Sequence, residues 1–119
     1  MRIIDSNIII YAIQTTYAYL TPLLYEPDSY ISEITKLEVL GYHGFDDITK
    51  KDMTDLFDTL QIIPINSTII DKAIELRQLR KMSIGDAIIG ATAILKNSEI
   101  STRNTHDFKG LGLTVTNPI

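Results

Sequence analysis

The chain has 119 residues, 45% of them hydrophobic and 22% charged, a balance that suits one globular domain and excludes a disordered or fibrous chain. Eleven Lys and Arg against fifteen Asp and Glu leave a net charge of −4, so nonspecific attraction to polyanions is disfavoured and any nucleic-acid contact must come from a local cationic feature. With no cysteine, disulfides, thiolate metal sites and cysteine nucleophiles are excluded.

Ile3 and Ile4 read as a short buried strand, and Asp5-Ser6-Asn7 caps a helix carrying Ile8, Ile9, Ala12 and Ile13. These three polar residues also break the opening apolar run, so a secretion signal is not expected. No later run approaches the ~20 apolar residues of a membrane span. The expectation is a soluble, cytoplasmic protein.

Thr21-Pro22 starts a second short helical piece that Glu26-Pro27-Asp28 ends, because proline disfavours a helical predecessor and has no amide donor. Ser29 to Ile31 is the second strand. Ser32 N-caps a helix through Ile34, Leu37, Glu38 and Leu40, with Gly41 and Gly44 at its end. A further helix is predicted from about Ile48 to Leu60, with Ile48, Met53, Leu56, Phe57 and Leu60 as its apolar stripe.

Gln61 to Ile65 reads as the third strand, which Pro64 assigns to a sheet edge. A helix from about Ser67 to Arg80 follows, and Ser83 caps another that contains Ile84, Ala87, Ile88, Ala91 and Ile94. In that helix Gly85, Gly90 and Ala93 are small enough for close packing. Glu99 to Thr102 and Leu113 to Thr116 complete the strands. Strands alternating with helices predict one α/β domain over residues 1–119, a mainly parallel sheet with helices on both faces. Ligands of such sheets bind beyond the carboxyl ends of the strands.

Four acids fall toward that rim. Asp5 ends the first strand, Glu38 interrupts an apolar helix pattern, Asp86 stands three residues after Ser83, and Asp107 follows the strand at Glu99. Each has an ordinary explanation when taken singly: a cap for Asp5, a solvated helix face for Glu38, a capping-box or helix-dipole contact for Asp86, and a turn for Asp107. Together they would repel one another unless a cation sat among them, and hard oxygen ligands suit Mg²⁺ or Mn²⁺.

At this point the chain resembles the PIN-domain ribonucleases, and especially the VapC-type toxins of prokaryotic toxin–antitoxin pairs. MRIIDSNIIIYA is similar to that family's opening strand and first acid, ISEITKLEVLGY to its second acid on a helix, SIGDAIIGATA to its third, and STRNTHDFKGLGLTVTNP to its closing segment. The resemblance implies a three-layer αβα sandwich, metal-dependent hydrolysis of RNA phosphodiester bonds, a cognate antitoxin and a homodimer. It assigns Asp5, Glu38 and Asp86 to the metal site. Many family members have Asp two residues after the Thr that Thr102 matches; this chain has Asn104 there and offers Asp107 three residues later. Asp107 is the better charge donor, while Asn104 has a carbonyl oxygen to offer.

Ser6 and Thr102 adjoin the acids and are supporting candidates, with local caps as the competing explanation. Arg77, Arg80, Lys81 and Arg103 could form a basic rim that meets the RNA backbone, although solvated helix ends explain them too. His43 and His106 lack the surroundings of a catalytic pair and are read as surface residues. The tyrosines crowding the first third, Tyr11 to Tyr42, are read mainly as packing or interface residues, with base stacking as the alternative.

Competing functions stay open on the sequence. A receiver-like phosphoacceptor lacks its paired acids here, and an Asp-x-Asp phosphatase is disfavoured by Asn7. A catalytically inactive PIN-like module that binds RNA or protein is the remaining alternative, kept open by Asn104.

Overall fold

The structure is a computed structural model describing residues 1–119. Its strands are β1 (Arg2–Ile4), β2 (Ser29–Ser32), β3 (Ile62–Ile63), β4 (Glu99–Ser101) and β5 (Val115–Thr116). Its α-helices are α1 (Ser6–Ala12), α2 (Thr21–Leu24), α3 (Glu33–Leu40), α4 (Asp47–Thr59), α5 (Ser67–Leu79) and α6 (Ile84–Lys96). Two 3₁₀ turns, Thr15–Leu20 and Thr105–Phe108, join them.

All five strands are parallel, in the order β3-β2-β1-β4-β5. The chain therefore builds outward from β1 through β2 to β3, then returns to lay β4 on the other side of β1. That reversal is a topological switch point, which in open α/β sheets is where ligands bind. Asp5 stands at its carboxyl end.

Alternation along β1 divides the interior, because successive strand residues point to opposite faces. Ile3 joins Ile100, Leu76, Ala87, Ala91 and Phe108 under α5 and α6. Ile4 joins Ile8, Ile9, Leu24, Met53 and Phe57 under α1, α2 and α4. Helices thus cover both faces, and the αβα sandwich is the architecture. No helix is long and apolar enough to cross a membrane.

Local sequence explains the helix starts. Side chains of Asp5, Ser32, Asp46, Asn66 and Ser83 each accept a hydrogen bond from a main-chain amide of the helix that follows, and each such cap contributes about 1 kcal/mol. Helix α6 stops at Asn97, which adopts a left-handed conformation with φ 51°, a geometry asparagine tolerates better than most residues.

Three details depart from the sequence reading. The third and last strands shorten to two residues each, since both lie at sheet edges with pairing on one side only. A 3₁₀ turn at Thr15–Leu20 precedes α2. Ile48 is 75% exposed and leaves the stripe of α4; five residues separate it from Met53, which turns it about 140° around the helix from that buried side chain.

Candidate active site

At the switch point β1 and β4 deliver two side chains that meet. The Thr102 hydroxyl donates to Asp5 Oδ2 at 2.7 Å, and the Ser6 main-chain amide donates to Asp5 Oδ1 at 2.8 Å. Thr102 is fully buried and Asp5 only 7% exposed. The Thr102 oxygen also accepts from the Asn104 amide at 3.0 Å. Asp5 is therefore both the cap of α1 and a carboxylate held in a fixed orientation by donors on both oxygens.

Glu38, on the second turn of α3, comes to the same rim. Its Oε1 lies 3.0 Å from the Ser6 hydroxyl, which is also 3.0 Å from the buried Thr35 hydroxyl. An ionised carboxylate only accepts, so the Ser6 proton points to Glu38. Ser6 thus links the first two acids: its amide holds one and its hydroxyl the other.

Helix α6 leads directly into β4 and runs antiparallel to it, so its first turn lies at the rim. Asp86 is half-buried there, and its main-chain amide donates to Ser83 Oγ at 3.1 Å. Gly85 next to it packs against the Glu38 carboxylate: a β-carbon at Gly85 would stand 2.8 Å from Glu38 Oε2. Asp107 lies half-buried in the 3₁₀ turn after β4.

The electrostatics tie the four acids together. Burial pushes Asp5 above the usual carboxylate range, against the hydrogen bonds from Thr102 and Ser6, and repulsion from Glu38 and Asp107 pushes it further. Burial likewise raises Asp86, followed by repulsion from Asp5 and Asp107, with Ser83 opposing. None of the four is in an ion pair; the pairs in the chain are Arg2–Glu26, Arg2–Glu99, Lys51–Asp55 and Lys72–Glu75. No three acidic or histidine side chains converge closely enough to form a ready-made ligand set.

A cleft of about 530 Å³ opens beside Asp86 and Asp107, walled by Arg77, Arg80, Lys81 and His106. The expected basic rim is thus adjacent to the acids, but its members differ. Arg80 is engaged with the chain: Nη2 donates to the Asp107 carbonyl at 3.1 Å and Nη1 to the Lys109 carbonyl. Arg77 uses Nε on the Met82 carbonyl at 3.1 Å and Lys81 is exposed. Arg103 is not part of the cleft wall and lies against Tyr11. His43 and His106 are exposed, as read from the sequence, and none of the six tyrosines is fully buried.

Asn104 is exposed, and its side chain makes no hydrogen bond to the other site residues. Asp107 repels Asp5 and Asp86 by its charge, whereas the Asn104 amide is neutral. Three further residues escaped sequence reasoning. Asn7 lies 3.4 Å from both Asp5 Oδ2 and Thr102 Oγ1, and its Oδ1 accepts from the Arg103 amide at 3.2 Å. Thr35 supports Ser6, and Gly85 accommodates Glu38. A polar residue on the first turn after Asp5 was a usable signal for Asn7, and Gly85 was read as a close-packing position without its partner; nothing in the sequence marked Thr35.

A family model described as the PIN domain matches residues 2–112. The chain belongs to the PIN-domain family. Among solved structures, a chain of a toxin–antitoxin complex from Klebsiella pneumoniae is 34% identical, with a TM-score of 0.81 over 100% of this PIN domain and 98% of that chain. A chain of VapBC2 from Rickettsia felis, bound to a DNA fragment from their promoter, is 25% identical with a TM-score of 0.78, covering 98% of this chain and 97% of that one. FitAcB from Neisseria gonorrhoeae shares the fold at 21% identity and TM-score 0.79, over 99% of this chain and 98% of that chain. No curated protein matches.

Proposed function

We propose that this PIN domain is a metal-dependent endoribonuclease, a toxin that hydrolyses RNA phosphodiester bonds in the cytoplasm and is neutralised by a cognate antitoxin. One observation supports the reading: Asp5 ends β1 at the switch point, Ser6 links it to Glu38, Asp86 and Asp107 repel it and each other, and no cationic side chain pairs with any of the four. The 34% identical chain from a toxin–antitoxin complex supports the toxin assignment and the antitoxin partner. Exposed Ile74, Leu79 and Ile84 offer apolar surface to a second copy in the expected homodimer.

The residues fit a hard divalent cation. Their donors are all carboxylate oxygens, and two of the acids are raised by burial and by their neighbours' charge, a penalty that Mg²⁺ or Mn²⁺ relieves. Bound there, such an ion supplies a water of lowered pKa and neutralises charge on the phosphate. The chain's own part is positional. Thr102 and Ser6 hold Asp5, Ser6 holds Glu38, and the first turn of α6 presents Asp86. Asp107 completes the set, with Asn104 outside it. Arg77 and Lys81 on the cleft wall supply phosphate contacts for the RNA backbone, and Arg103, next to Thr102, adds positive charge outside that cleft.

The test is cleavage of a panel of structured and single-stranded RNAs with Mg²⁺ or Mn²⁺ by the parent protein and Asp86→Asn. Metal-dependent cleavage confined to the parent is the expected result. No cleavage by either folded protein would favour the noncatalytic binding module.

A further inference from the structure

A row of four side chains leads away from the acidic site. Arg103 directly follows Thr102, and its guanidinium carbon stands 4.8 Å from the centre of the Tyr11 ring, with Nη1 donating to the Tyr11 hydroxyl. Tyr11 meets Tyr17 edge-on, their centroids 4.8 Å apart at 70°. Tyr17 in turn lies 6.2 Å from Tyr19. Asn7 anchors the inner end, because it joins the Arg103 amide to Asp5.

The two middle members are supports and the two outer ones are open. Tyr11 and Tyr17 are half-buried and occupied by their neighbours, whereas Arg103 is exposed and Tyr19 is 58% exposed. Packing accounts for the inner pair but leaves the Tyr19 ring and the outer face of Arg103 unexplained. Both present a flat π-bearing or planar cationic surface of the kind on which unpaired bases stack, and a guanidinium already fixed against a tyrosine loses little freedom when it does so. A base within a duplex is already stacked on its neighbours, so such surfaces select single strands. Arg103 also puts a positive charge next to the acids in a chain whose net charge is −4, the local cationic feature that an RNA backbone needs here.

We propose that Arg103 and Tyr19 are two base-stacking positions for single-stranded RNA beside the acidic site, with Tyr11 and Tyr17 as their packed support. The proposal rests on the ribonuclease reading and deepens it by naming the residues that hold the strand, with several nucleotides on the Tyr19 side of the cut.

The experiment measures binding of a fluorescein-labelled single-stranded RNA dodecamer of mixed sequence, and of its duplex, to the full chain carrying Asp86→Asn. It is run in EDTA at fixed ionic strength. In that background Tyr19→Ala and Arg103→Lys, which keeps the charge and loses the plane, are each expected to weaken single-strand binding about tenfold. Tyr19→Phe should stay within about twofold of the parent, and duplex should bind more weakly than single strand. Tyr19 is exposed, so its removal does not threaten the fold, and circular dichroism checks all variants.

Single-strand affinity unchanged in both Tyr19→Ala and Arg103→Lys, while the parent chain cleaves RNA, would overturn the stacking positions and leave the ribonuclease reading intact. No binding by Asp86→Asn and no cleavage by the parent would sink both. Unchanged RNA affinity with lost antitoxin binding in Tyr19→Ala would assign the surface to the protein partner and reject the proposal.

Discussion

Gly85 and the Glu38 carboxylate are packed so closely that a β-carbon on Gly85 would lie 2.8 Å from Oε2 and 3.1 Å from Oε1. The glycine has ordinary helical backbone, so it is needed for space and not for conformation. Helix α6 is thereby brought against α3, and the second and third acids come to one rim.

Gly85→Ala separates stability from activity. Alanine favours an α-helix over glycine by about 1 kcal/mol, so thermal stability should hold or rise slightly. The Glu38 side chain must swing away, so the Mn²⁺ concentration for half-maximal cleavage should rise about tenfold. Melting curves and a metal titration of the cleavage rate check both. Unchanged metal dependence would show that the position of Glu38 is unimportant.

Thr102→Val removes the hydroxyl that donates to Asp5 at 2.7 Å at almost constant volume. A buried carboxylate left short of a donor costs about 1–3 kcal/mol, so urea unfolding should shift to lower concentration. Thr102→Ser, which retains the hydroxyl, should recover most of the loss in stability and in cleavage. Equal losses in both variants would mean that the methyl group, not the hydrogen bond, matters.

Removing a site acid should stabilise the metal-free protein. Burial, then repulsion from Asp5 and Asp107, raises Asp86 in the folded state. A folded-state pKa above the unfolded one means that the proton is held more tightly when folded. The associated stability is fully present below the ordinary carboxylate range and is lost as pH rises through the folded value. Asp86→Asn avoids that loss, so in EDTA it should melt above the parent at pH 7, with the gap closing toward pH 4. Melts across this interval check it; a variant less stable than the parent at pH 7 would contradict it.

Arg80 holds the turn that carries Asp107 through the carbonyls of Asp107 and Lys109. Arg80→Ala should loosen that turn, seen as faster amide exchange over residues 105–109, and should lower cleavage at least tenfold. Arg80→Lys keeps the charge but lacks the fork that reaches both carbonyls, so it should restore little. Full activity in Arg80→Lys would instead make this residue a phosphate contact.

The fold was legible because local signals agreed. Asp5, Ser32 and Ser83 each mark a helix start by the capping bond they make, and Pro64 marked an edge strand that β3 proved to be. Ile48 failed because composition counted it as apolar while its angular position set it in solvent. Within the site, chain order alone put Asp5 at the carboxyl end of β1, beside the switch point. What could not be read were contacts between residues far apart in sequence: Ser6 with Glu38 across 32 positions, Asn7 with Arg103 across 96, Arg80 with Asp107 across 27. Arg80 illustrates the limit, since a cation near an acidic site looks like a phosphate contact until its carbonyl partners are seen.

The most direct measurement is calorimetric titration of Mn²⁺ into the parent chain and into Asp5→Asn, Glu38→Gln, Asp86→Asn and Asp107→Asn at pH 7. If the four carboxylates share a cation, the parent binds Mn²⁺, which relieves the burial and mutual repulsion that raise Asp5 and Asp86. Each substitution then weakens binding by about tenfold or more. Equal Mn²⁺ affinity in the parent and all four variants, or no binding by the folded parent, would contradict the metal site on which the ribonuclease reading stands.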